Sequence, residues 1–267
     1  MLFCCKKLRL IAASGALGTA RVSAFAALLL IACCSVGNRI NTGAQNSMPQ
    51  KMLWAWERTE DLGFIDPNEV GVAFLAQTIF LENERISPRR RRQDLSVPPN
   101  TYLIAVTRIE TNKETARRPR FDVSMVTKTA YLIRNTLELP GVKGIQVDFD
   151  AVVSERTFYR ALITELRKDI PPSASLTMTA LASWCTGDAW FSDFPVDEAV
   201  PMAFQMGADS ENIKTYLRNG NDWQEPLCRG SYGISLDDPL NFPLKAGRRT
   251  FYFKNSAWNA GDADSVK

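Results

Sequence analysis

The sequence predicts one α/β domain folded as a single (β/α)8 barrel of the TIM type, somewhat irregular in its early units. Two observations predict this fold class. Eight apolar runs of strand length recur between positions 52 and 255, and amphipathic helical patterns stand between several of them. With 267 residues, of which 45% are hydrophobic, the chain is long enough to bury one large core.

The eight apolar runs are the predicted strands. In chain order they occupy positions 52–56, 70–80, 102–110, 142–150, 175–184, 198–206, 231–236 and 249–255. We expect them to form one closed or nearly closed parallel sheet, with the fourth run as its fourth strand.

Three helical patterns and one loop fill spaces between these runs. Residues 121–139 and 154–170 place apolar side chains on one face, and each stretch is followed by proline. Ser154 is the predicted N-cap of the second helix, and residues 209–220 predict a third helix that ends at a glycine. Residues 81–100 predict a loop where a barrel would place the helix between its second and third strands.

Residues 1–32 predict a lipoprotein-type signal peptide. Four basic residues accompany an apolar run at 22–32 that is short for a membrane span. The run ends in Leu-Ile-Ala-Cys, which resembles a bacterial lipobox and implies that lipidated Cys33 begins an exported, membrane-anchored protein facing the periplasm. An ordinary signal peptide or a simple membrane anchor is the alternative. The polar residues 33–50 predict a flexible tether, and 51–267 the barrel domain.

The positive charge of the chain is mostly a property of this signal. Removal of residues 1–32 takes away four basic and no acidic residues, which changes the formal net charge from +3 to −1. We therefore predict no nucleic-acid partner. The run Arg89–Arg92 remains, and it is either a solvated loop or a contact for anionic lipid or an acidic polymer.

The residue types present limit the possible chemistry. The chain has no histidine, which excludes a Ser-His-Asp triad, a Cys-His pair and His-rich zinc sites. We expect no cofactor and no metal, because no metal-type cysteine spacing occurs; a divalent cation at Asp148 and Asp150 is the alternative. Cys185 and Cys228 either pair in an oxidising compartment or remain as two buried thiols.

The stretch GIQVDFD, residues 144–150, carries the candidate catalytic residues Asp148 and Asp150. Its alternation predicts a strand with Gln146 and both carboxylates on one face, and with three apolar residues on the other face, under the helices. Barrel enzymes place their chemistry at the carboxyl ends of the strands, so we expect both carboxylates in the mouth of the barrel. A surface strand with two solvated carboxylates is the alternative.

Two carboxylates this close are not expected to ionise equally. Same-face neighbours on a strand have Cα atoms about 6.5–7 Å apart, so the charge of one group raises the pKa of the other. We expect Asp148 to stay ionised and Asp150 to have the raised pKa. Arg108 or Gln205 should lie within reach of the pair.

The same stretch resembles the strand-four motif D-G-x-D-x-D-x-E of family-18 glycoside hydrolases, the chitinase-like barrels. Gly144 matches the motif glycine and Asp148 the second aspartate after it, while Gln146 and Asp150 stand at the first aspartate and at the acid glutamate. The stretch PMAFQM, residues 201–206, is similar to Met-x-Tyr-Asp on strand six of that family.

The ends of the predicted strands and this resemblance together supply the candidate ligand-binding side chains. They are Trp56, Glu57, Arg108, Gln146, Trp184, Phe204, Gln205 and Trp258. The resemblance implies that Trp258 floors a sugar site. All three tryptophans are expected to stack on sugar rings, and core packing is the alternative for Trp56 and Trp184.

Longer stretches resemble a bacterial family of exported proteins known as domain of unknown function 3142. They are WAWERTEDLGFID, GIQVDFDAVVSERTFYRAL, LTMTALASWCTGD and VDEAVPMAFQMG. This resemblance covers most of the chain after the tether, and it implies a family without implying an activity.

Two functional hypotheses follow. In the first, the barrel cleaves or remodels a cell-envelope glycan, with Asp150 as general acid and Asp148 tuning it or stabilising positive charge. In the second, it is a non-catalytic glycan-binding or scaffolding lipoprotein, which the substitutions in the family-18 motifs favour. A cleft with Glu57 or Asp237 facing Asp150 would favour cleavage, and a filled mouth would favour binding.

Overall fold

The computed structural model describes residues 48–188 and 190–266. Eight parallel strands pair in chain order, and the eighth also pairs with the first, which closes the sheet. The barrel strands are β1 Lys51–Ala55, β2 Val70–Glu82, β3 Leu103–Thr111, β4 Val142–Asp148, β5 Ser175–Leu181, β6 Glu198–Met202, β7 Ser231–Ser235 and β8 Arg249–Phe253. The predicted TIM-type barrel, with its fourth strand beginning at Val142, is confirmed.

Three of the four α-helices lie where the sequence predicts them, whereas α3 begins inside the predicted fifth strand, and one cap was assigned wrongly. The α-helices are α1 Val123–Arg134, α2 Arg156–Asp169, α3 Ala182–Thr186 and α4 Ser210–Arg218, and 3-10 turns cover Thr115–Arg117, Asn135–Glu138, Val153–Glu155, Gly207–Asp209, Pro226–Gly230 and Ala260–Ser265. Ser154 lies inside the turn before α2 and does not cap that helix. Within the two described ranges, no helix is both long and apolar enough to cross a membrane.

Six of the eight barrel strands end one to four residues earlier than the sequence predicts. β5 stops at Leu181, so Trp184 lies in α3, and β4 stops at Asp148, so Asp150 lies in the following loop. The alternation of the strand therefore places Gln146 and Asp148 on one face of β4 but does not determine the direction of Asp150.

The segment predicted as a loop between the second and third strands contains a strand of its own. Residues Arg85–Arg90 run antiparallel to β2 after a turn at Asn83, whose φ of 49° lies in the left-handed region that asparagine adopts more readily than most residues. Its charged, mostly exposed side chains suit an edge strand. Two further short strands, Glu60–Asp61 and Leu95–Ser96, pair with each other. The whole segment between β2 and β3 is described, and none of it is α-helical.

The barrel interior is filled by apolar side chains around one buried carboxamide. The interior cluster consists of Met48, Met52, Trp54, Ala73, Leu75, Tyr102, Ile104, Val106, Val200 and Phe251. Trp54 Nε1 donates to Gln146 Oε1 at 2.7 Å, and Gln146 Nε2 donates to Thr177 Oγ1 at 3.2 Å, so the buried amide has partners. The opposite face of β4 packs in the outer core with α2, as the alternation predicts.

The last residues of the predicted tether pack on the barrel. Met48 is buried in the interior cluster, and Arg249 donates to the carbonyl of Pro49 at 2.8 Å. Arg249 also forms a buried ion pair with Glu198 at 2.7 Å. The predicted signal peptide and the predicted lipidation site Cys33 lie outside the described residues.

A disulfide joins Cys185 in α3 to Cys228 in the turn Pro226–Gly230. Of the two alternatives that the sequence leaves open, the structure has the paired one. The carbonyl of Cys185 also accepts from the amides of Gln224 and Glu225 at 2.8 and 3.2 Å. The segments that follow β5 and α4 are therefore joined both covalently and by hydrogen bonds.

Gly144, the glycine of the strand-four motif, has no room for a side chain. A Cβ atom there would lie 2.0 Å from Ser175 Oγ and 3.1 Å from the Ser175 carbonyl oxygen on β5. We expect Gly144→Ala to lower the free energy of unfolding in urea by about 1–3 kcal/mol, as overpacking does. Ser175→Ala removes Oγ and should recover part of this loss in the double variant. Strictly additive losses would show that the two side chains do not compete.

Candidate functional site

A cavity of about 250 Å³ lies at the carboxyl ends of β2, β3 and β4, and we call it the mouth cavity. Its walls are formed by Phe80, Arg108, Ile109, Glu110, Thr111, Lys113, Asp148, Phe149 and Asp150. Arg108 and Asp148 are direct neighbours across the β3–β4 pairing, which brings the predicted cation to the predicted carboxylates. This end of a barrel is the one where such folds carry their sites.

Asp148 is the last residue of β4 and is half-buried. The hydroxyl of Thr179 on β5 donates to its carboxylate at 2.7 Å. The pKa of Asp148 is raised to about 6, first by burial and then by the negative charge of Asp150, against the opposing effects of the Thr179 hydrogen bond and of Arg108. Asp148 is therefore able to hold a proton close to neutral pH.

Asp150 lies two residues beyond Asp148 and is more exposed. Loss of solvent raises the pKa of Asp150 above its usual value, whereas Arg108 and Lys113 act to lower it. The pKa of Asp150 is raised as predicted, but the cause is burial and not the charge of Asp148. The prediction that Asp148 stays ionised is wrong below about pH 6, because Asp148 is the more deeply buried carboxylate of the two.

A third carboxylate and a second cation complete the cavity. Arg108 Nε lies 3.2 Å from Glu110 Oε1, and Lys113 Nζ lies 2.7 Å from Glu155 Oε1. Sequence reasoning missed Glu110 and Lys113. Alternation of the kind seen in strand four also occurs in β3, where Glu110 follows Arg108 by two positions and so shares its face. That pattern could have identified Glu110.

Glu155 fixes the loop that carries Asp150. Its buried carboxylate accepts from Thr111 Oγ1 at 2.6 Å, from Lys113 Nζ at 2.7 and 2.8 Å, and from the amide of Val152 at 2.9 Å. These bonds tie the loop after β4 to the end of β3, so one wall of the mouth cavity is held in position.

Aromatic rings pack together at the carboxyl ends of β1, β6 and β8. Phe204 and Phe253 stack with centroids 5.2 Å apart and planes 7° apart, and the ring of Trp56 meets Phe253 at 6.2 Å. Trp54 contacts Phe204 from below at 6.1 Å. Because all four rings join the interior cluster, this part of the mouth is filled. Trp56 and Phe204, two of the predicted residues, do come together here.

Three polar residues singled out at strand ends do not line the mouth cavity. Glu57 forms an ion pair with Arg89 at 3.0 Å, and Asp237 accepts from the amide of Asn255 at 2.6 Å. Gln205 is exposed, with a φ of 49°. Neither Glu57 nor Asp237, the carboxylates that would favour cleavage, therefore lines the cavity with Asp148 and Asp150.

Two of the three predicted sugar-stacking tryptophans are core residues. Trp184 is 5% exposed and packs in the outer core. Trp258 is 4% exposed, and its Nε1 donates to the carbonyl of Trp54 at 2.9 Å. Neither ring lines the mouth cavity, and Gln146 is fully buried. The prediction that Trp184, Trp258 and Gln146 bind the ligand is therefore wrong for this cavity.

Fold and cavity together define a (β/α)8 barrel with a charged cavity at the carboxyl ends of neighbouring strands. Among the residues that the structure describes, no group of three or more cysteine or carboxylate side chains is arranged to hold a metal ion. The chemistry available in the cavity is that of Asp148, Asp150, Glu110, Arg108 and Lys113.

Solved structures of this general shape include a cortex-lytic enzyme and a chitinase. The spore cortex-lytic enzyme SleL of Bacillus cereus is 15% identical, with a TM-score of 0.43, over 76% of this chain and 55% of that chain. A GH18 chitinase from Pseudoalteromonas aurantia is 11% identical, with a TM-score of 0.45, over 79% of this chain and 95% of that chain. The chain spans about half the length of the cortex-lytic enzyme.

Sequence comparison adds no family assignment. No protein-family model matches the chain, and no curated protein sequence matches it. Membership of the family called domain of unknown function 3142 stays a prediction. Structural similarity at this level says nothing about the activity of this chain.

Proposed function

We propose that this protein binds a glycan in the mouth cavity. The observation that supports this proposal is the presence of both charges in one cavity. The carboxylates of Asp148, Asp150 and Glu110 line it together with the cations of Arg108 and Lys113. Each sugar hydroxyl both donates and accepts hydrogen bonds, so neighbouring hydroxyls match a wall that offers carboxylate acceptors beside cationic donors. A simple ion of either sign would meet groups of its own charge.

The size of the cavity favours one sugar residue or a chain end. Its volume is about 250 Å³, which is below the ~300–1,000 Å³ typical of sites for drug-sized ligands. Phe80 adds apolar surface to the wall, which suits the C–H face of a pyranose.

Cleavage of the glycan is the second candidate, and the pKa of Asp148 favours it. A carboxyl group with a pKa of about 6 is able to protonate a glycosidic oxygen near neutral pH. Asp148 would then be the general acid, and Asp150 would stabilise positive charge on the sugar. Binding is the better supported function, because neither Glu57 nor Asp237 lines the cavity and Glu110, the third carboxylate there, is paired with Arg108.

A glycan-array and peptidoglycan-fragment binding screen on the full chain tests this proposal. We expect at least one glycan to bind, and Asp150→Asn to weaken that binding about tenfold or more, because a charge-assisted hydrogen bond is lost. Asp169→Asn, an exposed change at the last residue of α2, is the matched control and should bind like wild type. No binding by wild type, or equal binding by Asp150→Asn, would contradict the proposal.

Mass spectrometry of the glycan recovered after incubation separates the two candidates. An intact glycan indicates binding alone. Shorter products that disappear with Asp148→Asn indicate hydrolysis with Asp148 as the acid, whereas products that persist in that variant exclude this role.

We further propose that the protein is exported and anchored to the membrane through a lipid on Cys33. The disulfide between Cys185 and Cys228 supports export, because disulfides persist in oxidising compartments. Mass spectrometry of the membrane fraction is expected to show the loss of residues 1–32 and a lipid adduct on Cys33. An intact N-terminus in that fraction would refute the anchor.

A further inference from the structure

We propose that the outer wall of the barrel carries a second binding site, which takes a phosphate group. The site is a groove of about 480 Å³ between the residues that follow strand Arg85–Arg90 and the end of α1, and we call it the arginine groove. The lining residues that matter are Phe74, Arg90, Arg91, Arg92, Asn135 and Glu138. None of them lines the mouth cavity, so the two sites are separate.

The groove exists because no α-helix lies between β2 and β3. In a regular barrel unit that helix would cover the outward side chains of β2. Here Gln77 of β2 lies at the base of the groove, where its Nε2 donates to Thr107 Oγ1 at 3.1 Å and to the carbonyl of Leu132 at 3.0 Å. The floor of the groove is therefore polar, buried and held by hydrogen bonds.

Arg91 holds the chain along one side of the groove. Its guanidinium donates to the carbonyls of Trp56 and Arg58, and to that of Gln93 at 2.9 Å. Burial lowers the pKa of Arg91 from its usual value, but an arginine stays charged at any physiological pH. Because the chain is pinned at this residue, the residues on either side of it have defined positions on the groove wall.

Arg90 and Arg92 supply positive charge that the protein does not compensate. Both are exposed and line the groove. Across residues 48–188 and 190–266, the guanidinium groups of these two arginines have no ion pair. Glu138 is the carboxylate among the lining residues, and it lies on the α1 side, 3.9 Å from Arg134. The groove therefore presents net positive charge, which favours the binding of an anion.

A phosphate group fits the available donors. Two arginine forks offer several donors to one tetrahedral anion, and their two positive charges balance a phosphate dianion or exceed the single negative charge of a phosphate diester. Asn135 Oδ1 accepts from Arg134 at 3.1 Å, which leaves the Asn135 Nδ2 group to donate. Phe74 and Leu139 give the groove an apolar wall for the uncharged part of a ligand. The phosphate comes from either a lipid headgroup or a free phosphate.

Isothermal titration calorimetry of the full chain with two probes tests the proposal. The probes are inorganic phosphate and glycerophosphoglycerol, the water-soluble headgroup of phosphatidylglycerol. We expect saturable binding of at least one probe. Preference for inorganic phosphate identifies a free-phosphate site, and preference for the diester identifies a headgroup site. Arg90→Gln/Arg92→Gln should weaken the binding at least about tenfold, because two charge-assisted contacts are lost.

Arg85→Gln/Lys128→Gln is the matched control for this experiment. It removes the same charge from exposed positions on the same short strand and on α1, outside the groove lining. This control should bind the probes like wild type. Equal weakening by the two double variants would indicate attraction to net charge alone and would overturn the proposal. Failure of wild type to bind either probe saturably would overturn it too.

Discussion

Replacement of Asp148 by asparagine is expected to raise the melting temperature at pH 7.5 and to change it little at pH 4. In the folded protein the pKa of Asp148 is about 6, whereas in an unfolded chain an aspartate has a pKa of about 3.9. Between these values the folded state holds a proton that the unfolded state has released. Stability therefore falls as the pH rises through this window and stays lowered above it.

The expected size of this effect follows from the raised pKa. A shift of two pKa units corresponds to about 3 kcal/mol at most, and partial exposure of the side chain reduces it to ~1–2 kcal/mol. For a domain of this size that amounts to a rise of roughly 2–8 °C in differential scanning calorimetry. The asparagine keeps an oxygen that accepts from the Thr179 hydroxyl, so the hydrogen bond is retained.

Asp150→Asn is the comparison variant for this measurement. We expect a smaller rise at pH 7.5, because Asp150 is more exposed than Asp148 and Arg108 and Lys113 oppose the rise of its pKa. If Asp148→Asn instead lowers the melting temperature at pH 7.5 by many degrees, an ionised Asp148 stabilises the fold. The two carboxylates would then be structural.

Loss of the disulfide between Cys185 and Cys228 is the other large effect that we expect. The bond joins residues 43 positions apart, and the chain-entropy relation assigns about 4 kcal/mol to a loop of this length. Both side chains are fully buried, so Cys185→Ala/Cys228→Ala also leaves a small cavity, which adds to the loss. The melting temperature should fall by roughly 8–16 °C.

Chemical reduction provides the control for this variant. Dithiothreitol should lower the melting temperature of the wild type towards that of Cys185→Ala/Cys228→Ala and should leave the double variant unchanged. Thiol counting under denaturing conditions establishes that reduction is complete. A fully reduced wild type with an unchanged melting temperature would show that the bond contributes nothing to stability.

Local periodicity was enough to locate the strands and to orient β4. Because side chains alternate across a strand, Gln146 and Asp148 had to share the face opposite to Ile145 and Val147. The structure places the first pair towards Trp54 and Thr179 and the second pair in the outer core. Such patterns depend only on neighbours along the chain, so all eight barrel strands and three helices were predictable.

Local periodicity did not predict the positions of Trp184 and Trp258. β5 ends at Leu181, where its pairing with β6 ends, and the chain then turns Trp184 into the outer core. Trp258 donates to the carbonyl of Trp54, 204 positions earlier in the sequence. Once a strand has ended, the pattern around a residue contains no information about the distant surface that it covers.

For the carboxylates, too, the sequence determined the placement of Asp148 and the tertiary structure determined its surroundings. Alternation alone placed Asp148 on the inward face at the carboxyl end of a barrel strand. Only the tertiary structure brought Glu110 from β3 and Lys113 from the loop after β3 into the same cavity, and only that structure assigned the pKa of about 6 to Asp148. The pKa of a carboxylate depends on the solvent that distant segments exclude and on the charges that they bring close. Those segments are neighbours in space, and a sequence records only neighbours along the chain.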